Sequence, residues 1–347
     1  MALLRDAALN LSQDMFVRGV IHEIIDHEAL FAVLPFTRVD GKAYVYNRES
    51  KLAGGNFVQT GAAIKESSSL SKQVTTTLTI LIGDVDVDKF VDETMSDSND
   101  QKAIQISMKA KGIGRRFKET LVNGQIGART DPNGDAVSAG ESALEFQGLR
   151  KLFQTGITDA DFSEHFKEQV ILAEPGKEIT AANIADSAIA PQAMNLALLD
   201  ELLDAVDNGA DVIMMRRDAL RDYKAILRTF GGNTAEMNSI PGFAKPIPFH
   251  DGVPIIINDF IPILSGAGDE KYSDIYAIRL NEADGLHGLF GGPTAGFRVE
   301  DIGTVQDKDA TRTRIKWYCG LALKSTRSIA VLRGVKSARG RGVKINP

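Results

Sequence analysis

The sequence predicts an α+β fold, and three features of the chain point there. A long run rich in threonine and valine, Gln73 to Phe90, favours extended backbone. Directly after it, Ile106, Ala110, Ile113, Phe117 and Leu121 recur at helical spacing. Farther on, strands and helices mix without the regular alternation that builds a parallel sheet. At 347 residues the chain can bury one large core or two modest lobes.

Taken in order, Leu3 to Leu34 reads as helical, because Phe16, Val20, Ile21, Ile24 and Ile25 repeat with Arg18, Glu23 and Asp26 between them. Asn10 or Ser12 is placed to cap its start, and Pro35 ends it. Tyr44-Val45-Tyr46 reads as a short strand. The stretch behind it holds Gly54-Gly55, Gly61 and Ser67-Ser68-Ser69, which offer little to a core. A structureless loop of that length is unusual inside a compact domain. It is read as a protruding two-stranded arm, which would need another subunit for stability because an isolated hairpin is marginal in water.

Within Gln73–Phe90, Val85 and Val87 alternate with Asp84, Asp86 and Asp88, which puts three carboxylates on one face. Ser96 to Asp100 is dense in capping residues and opens a helix that Asn123-Gly124 stops. Gly112 and Gly114 weaken its interior by about 1 kcal/mol each relative to alanine, so packing must hold it. Asp131–Asp135 reads as a surface loop, and Gly148–Phe153 and Asp159–Gln169 give weaker signals. A helix follows at Met194–Val206 with Leu199, Leu202, Leu203 and Val206 inward, then a buried strand at Asp211–Met215. Another helix runs from Arg217 to Phe230. Asp251-Gly252 marks a turn before Val253–Ile257, and strands are expected at Ile275–Leu280, Gly285–Phe290, Thr311–Ala322 and Ser328–Gly334.

Chemistry is sparse. The formal charge of −6 argues against a dedicated nucleic-acid binder. Cys319 is the only cysteine, which excludes an intramolecular disulfide and a cysteine-based zinc site; beside Ile315 and Trp317 it reads as a small core residue. The apolar runs are far shorter than the ~20 residues of a spanning helix, and no targeting segment is visible, so a soluble intracellular product is expected. The five histidines are scattered. No dinucleotide, Walker-type or nucleophile-elbow motif occurs, and Pro293 removes an amide donor from the glycine-rich Gly291–Gly296. No catalytic residue, cofactor or metal is assigned.

Two charged features remain. Asp84, Asp86 and Asp88 could gather a hard cation. The favoured reading pairs them with the helical stripe Lys109, Lys111, Arg115, Arg116 and Lys118, in the same or a neighbouring subunit. After Arg333, the tail carries Lys336, Arg339, Arg341 and Lys344 and no acid. It is either a contact for packaged nucleic acid or an acidic neighbour, or a solvated tail.

The order of elements resembles the tailed-bacteriophage major capsid proteins, which share the Hong Kong 97-type fold. The arm Met1–Val39, ending in Leu34-Pro35-Phe36, resembles the family's N-terminal arm, and residues 40–72 its E-loop hairpin. Residues 73–190 resemble the peripheral domain, with a spine helix at about 98–123. Residues 191–316, from Leu198-Leu199-Asp200-Glu201-Leu202-Leu203 and Val212-Ile213-Met214-Met215 onward, resemble the axial domain. Residues 317–347 resemble the return strand and a basic tail. The resemblance implies a structural, non-enzymatic protein of the virion capsid, assembled in the bacterial cytoplasm from hexamers and pentamers into an icosahedral shell around double-stranded DNA. It implies portal, scaffolding and decoration proteins as partners, and no membrane. No long acidic scaffolding segment is present, so scaffolding would be a separate protein or unnecessary. Lys51 and Lys65 lie where some relatives crosslink, but no asparagine partner matches and no crosslink is assigned. The alternatives are an encapsulin-like nanocompartment shell and a soluble metal-dependent enzyme using Asp84, Asp86 and Asp88.

Overall fold

The structure, a computed structural model, describes residues 33–61, 63, 64, 66–89, 101–130, 135–183, 186–229, 236–238, 247–292 and 297–336. Strand β1 (Phe36–Val39) precedes a long hairpin of β2 (Ala43–Lys51) and β3 (Leu70–Thr77), and then β4 (Thr79–Asp88). Helix α1 (Gln101–Asn123) leads to a small hairpin, β5 (Arg129–Thr130) and β6 (Ala136–Val137). Helices α2 (Ala139–Ala143), α3 (Leu149–Ile157) and α4 (Ser163–Glu168) follow, with β7 (Val170–Leu172) behind them. Next come α5 (Leu196–Asp204), β8 (Val212–Met215) and α6 (Arg217–Thr229). Short strands β9 (Glu236–Asn238), β10 (Ile247–His250), β11 (Val253–Ile257) and β12 (Leu264–Ser265) precede β13 (Lys271–Ile278) and β14 (Leu286–Gly291). Last are β15 (Phe297–Thr304), β16 (Ala310–Leu323) and β17 (Ile329–Lys336).

Among the described residues these strands form two large sheets. One has the order β1-β14-β16-β15, with β4 also on β16. The 14 residues of β16 are long enough to serve β14 through Leu321 and Ala322 and β4 from Ala310 to Cys319. Alternation sorts the faces: Val85 and Val87 turn into the core while Asp84, Asp86 and Asp88 turn out. Helix α1 packs on the inward face. Its stripe Ile106, Ala110, Ile113, Phe117 and Leu121 is fully buried, as its spacing predicts, and Gly112 and Gly114 do not interrupt it. Phe117 sits at the centre of an aromatic group, its ring 4.6 Å from Trp317 and 5.3 Å from Phe146.

The second sheet runs β7-β17-β13-β8-β11-β10-β9, with β12 on β13. It is covered on both faces. Tyr276, Ile278, Ile329 and Val331 join the core that holds α1 and α3, whereas Ile275, Ala277, Ala330 and Leu332 join the core under α5 and α6. A strand buried on both faces reads as a continuous apolar run, which explains Val212–Met215. The β10–β11 turn uses positive φ at Asp251 (48°) and Gly252 (76°), the signature of a tight hairpin.

The structure departs from sequence expectation in three places. Gln73–Phe90 is not one strand: it breaks at Leu78, whose amide donates to the Lys42 carbonyl (2.9 Å) and whose side chain packs against Gly291 and Gly320. Leu70–Thr77 thus belongs to the arm, and only Thr79–Asp88 to the sheet. Strand β15 was not expected, because its mixed charges and Gly303 are those of a bulged sheet edge. The weak segments around 148–169 form α3 and α4, which meet where Gly156 lies against the Phe166 ring; a Cβ there would come within 2.3 Å of it. The helix expected before Leu34, its caps, and the Ser96–Asp100 cap lie outside the described residues, apart from Val33 and Leu34 themselves.

Candidate assembly surfaces

The arm is a paired ladder, β2 on β3, in register from Ala43–Thr77 to Glu49–Ser71, with a bulge before the last pair, Lys51–Leu70. Its base is tied to the body by polar contacts. Tyr46 donates its hydroxyl to the Leu323 carbonyl (2.5 Å), and Arg48 donates to the carbonyls of Leu323 (2.6 Å) and Lys324 (2.9 Å). From β3, the Lys72 ammonium pairs with Asp159 (3.1 Å) and Asp161 (2.9 Å), whose hydrogen bonds push its pKa up. The Phe162 ring lies under both cations, 5.1 Å from Arg48 and 5.7 Å from Lys72. Beyond this base the arm runs out into solvent. Its extension holds itself together through Ala53 N–H to Ser69 Oγ (3.0 Å) and Ser67 Oγ to the Gly54 carbonyl (2.6 Å). It exposes large apolar side chains: Leu52 is 70% exposed, Ile64 82%, and Phe57 fully. Lys51 ends β2, exposed, and Lys65 lies outside the described residues.

Under the arm base sits His287 of β14. It is fully buried, and its ring meets Tyr44 of β2 edge-on at 5.7 Å. Burial holds its pKa below the ordinary value; hydrogen bonding to the Gly285 and Asn281 backbone and the Glu282 charge oppose that, and Lys324 adds to it. The imidazole is therefore neutral in the fold. The unfolded chain takes up a proton as pH falls through about 6.5, and the folded chain does not, so stability is lost as pH drops through that value. Thermal melting between about pH 7.5 and pH 5.5 should show that loss, and His287→Leu should flatten it. An unchanged slope in the variant would remove His287 from the account.

Asp84 and Asp86 are held by arginines of β16. Arg314, directly across from Asp84, donates Nε and Nη2 to its two oxygens (2.7 Å each). Arg312 does the same for Asp86 (2.6 and 2.7 Å). Each guanidinium holds its carboxylate below the usual range. These are bidentate cross-strand pairs within one chain, continued by Lys316 and Glu300 (2.5 Å). Within the chain, Arg312 and Arg314, and not the α1 stripe, are the partners of Asp86 and Asp84. The signal was available: Arg312, Arg314 and Lys316 alternate with the same period of two as the aspartates. Asp88 stands opposite Ala310, exposed.

The basic residues of α1 do not form one face. Lys111 and Arg115 are exposed, and the Lys109 side chain crosses Gly83 of β4. Arg116 turns inward to Glu145 (2.6 Å) and Glu119 (3.3 Å). Lys118 places its ammonium over the Phe260 ring (5.7 Å), where burial pushes its pKa down to about 8. Arg333 is not part of a tail. It is a buried residue of β17, bonded to Asp274 (3.3 Å) and Asp186 (2.6 Å). Lys336 ends that strand and pairs with Glu270 (2.6 Å), while Arg339, Arg341 and Lys344 lie outside the described residues. Cys319 is buried in β16, where burial pushes its thiol up to about 12. Among the described residues no helix is long and apolar enough to cross a membrane.

No protein-family profile and no curated protein matches the chain. Solved structures do. The SrpI encapsulin complex of Synechococcus elongatus PCC 7942 superposes with a TM-score of 0.62 at 18% identity, over 89% of this chain and 88% of that one. The capsid of an empty GTA particle gives 0.57 at 14% identity, over 89% and 90% of the two chains. A structure of Microbacterium phage Oxtober96 gives 0.52 at 12% identity, over 88% and 90%. Near-complete coverage on both sides means that the match spans the topology and is not confined to one sheet, although the sequences have diverged. The chain therefore has the Hong Kong 97-type fold, the fold of capsid and encapsulin shell subunits.

Proposed function

We propose that the chain is a shell subunit, the major capsid protein of a tailed bacteriophage, which assembles through hexamers and pentamers into an icosahedral shell around double-stranded DNA. The observation that carries this reading is the arm. Leu52, Phe57 and Ile64 stand in water at the end of a stem tied to the body at its base. Apolar side chains held out in this way gain stability only when another surface covers them, and the fold makes a second copy the natural cover. In this proposal residues 73–190 act as the peripheral domain and 191–316 as the axial domain, and the shell is non-enzymatic. Portal, scaffolding and decoration proteins are the expected further partners, and the bacterial cytoplasm is the place of assembly. The exposed Lys111 and Arg115, and the tail beyond Lys336, are the basic groups proposed to meet neighbouring subunits or DNA.

The test is to replace the apolar tip and leave the stem intact. The triple variant Leu52→Ser, Phe57→Ser, Ile64→Ser is expected to keep its circular dichroism and melting temperature and to lose shell formation. Normal shells from that variant would overturn the arm's role.

The likeness to the encapsulin complex favours a second reading, a nanocompartment shell. Contents separate the two. Shells purified from the native host that hold double-stranded DNA support the capsid, and shells that hold a cargo enzyme support the nanocompartment.

A further inference from the structure

We infer that one ordered water molecule is bound inside the protein where helix α3 meets strands β13 and β17. Tyr272, Asp274 and Tyr276 are alternate residues of β13 and project from one face, beside Arg333 of β17. All four are buried, with 0, 2, 1 and 7% of their surface exposed. Arg333 donates to Asp274 Oδ2 (3.3 Å), to Asp186 Oδ1 (2.6 Å) and to the Tyr272 hydroxyl (3.3 Å). From α3, Arg150 donates to Asp186 Oδ2 (3.1 Å), and Tyr272 donates to Asp186 Oδ1 (3.2 Å).

Two polar atoms in this network are left over. Asp274 Oδ1 and the Tyr276 hydroxyl are both sealed from solvent and have no hydrogen-bond partner in the protein. Native interiors rarely leave such atoms unpaired, because each one forfeits its hydration without compensation. Asp274 and Tyr276 line the same cavity, of about 20 Å³, together with Arg150, Phe153, Ile157 and Arg333. A single water needs roughly 10–15 Å³ by this measure and two or more polar partners. The space is enough for one water, and the guanidiniums of Arg150 and Arg333 disfavour a cation there. The water donates to Asp274 Oδ1 and accepts from the Tyr276 hydroxyl, which closes the network. Burial pushes the Asp274 carboxyl up, with Arg333 pulling the other way, and a donor on Oδ1 would pull in the same direction as Arg333.

The test combines a crystal or cryo-electron structure of the full chain at about 2 Å with melting of Tyr276→Phe. The expected result is a water peak within hydrogen-bond distance of both atoms, and a melting temperature about 1–3 °C lower in the variant, which loses a satisfied hydrogen bond. If the hydroxyl is instead an orphan, its removal leaves the melting temperature unchanged or raises it. That outcome, a dry cavity at a resolution where other internal waters are seen, or a direct Tyr276–Asp274 bond would each overturn the inference.

Discussion

Phe117→Ala is expected to cost about 3–5 kcal/mol of folding stability, close to the upper range for a single core truncation. The ring is fully buried and lies between Trp317 (4.6 Å), Phe146 (5.3 Å) and Phe36 (6.1 Å), so it joins α1 to β16, to the segment after α2, and to β1. Large, rigid neighbours on three sides cannot collapse into the space, which places the cost toward the high end. Helix α1 depends on this contact more than most helices would, since Gly112 and Gly114 lower its intrinsic propensity. Against a total of roughly 5–15 kcal/mol, the loss should be visible as a large drop in the denaturation midpoint. Met108→Ala, on the exposed side of the same helix, is the control and should change stability by no more than about 0.5 kcal/mol. Equal losses from the two would mean that the aromatic group does not hold α1.

Glu119→Ala is expected to cost a similar amount, about 3–5 kcal/mol, by a different route. Glu119 is 3% exposed and takes hydrogen bonds from Arg129 (Nε, and Nη2 at 3.1 Å) and Arg116 (3.3 Å). Arg129 also reaches both oxygens of Glu145 (2.8 and 2.7 Å). Burial pushes the Glu119 carboxyl up while the Arg129 guanidinium pulls it back, so the carboxylate depends on its partner. Removing it strands two largely buried cations with one acid between them. Glu119→Gln keeps an acceptor and should cost less. The double change Glu119→Met with Arg129→Met should recover part of the loss, because a buried pair replaced by apolar groups leaves no orphan charge. A double variant as unstable as the sum of the two singles would show that the pair is not coupled.

How far the sequence could be read depended on the range of the signal. The α1 stripe, the buried run Val212–Met215 and the Asp251-Gly252 turn are local patterns, and each forms where its residues indicate. The arm was legible from its glycine and serine content. Its boundary was not, because β propensity runs unbroken through Leu78; the break comes from Gly291 and Gly320, more than 200 positions away in the chain. The same limit explains the charges. Arg333 looked like the first residue of a basic tail, yet Asp186 and Asp274 draw it into the sheet. Asp84 and Asp86 were correctly placed on one face, but their partners Arg314 and Arg312 become neighbours only once β16 pairs with β4. Periodicity gives the face on which a charge lies, and tertiary pairing decides what it meets.

The most direct test of the shell reading is to express the chain by itself and examine it by size exclusion and negative-stain electron microscopy, over rising concentration. Closed shells, tubes, or free hexamers and pentamers are the expected result. A folded monomer or dimer that stays small at every concentration, with its arm intact, would contradict it.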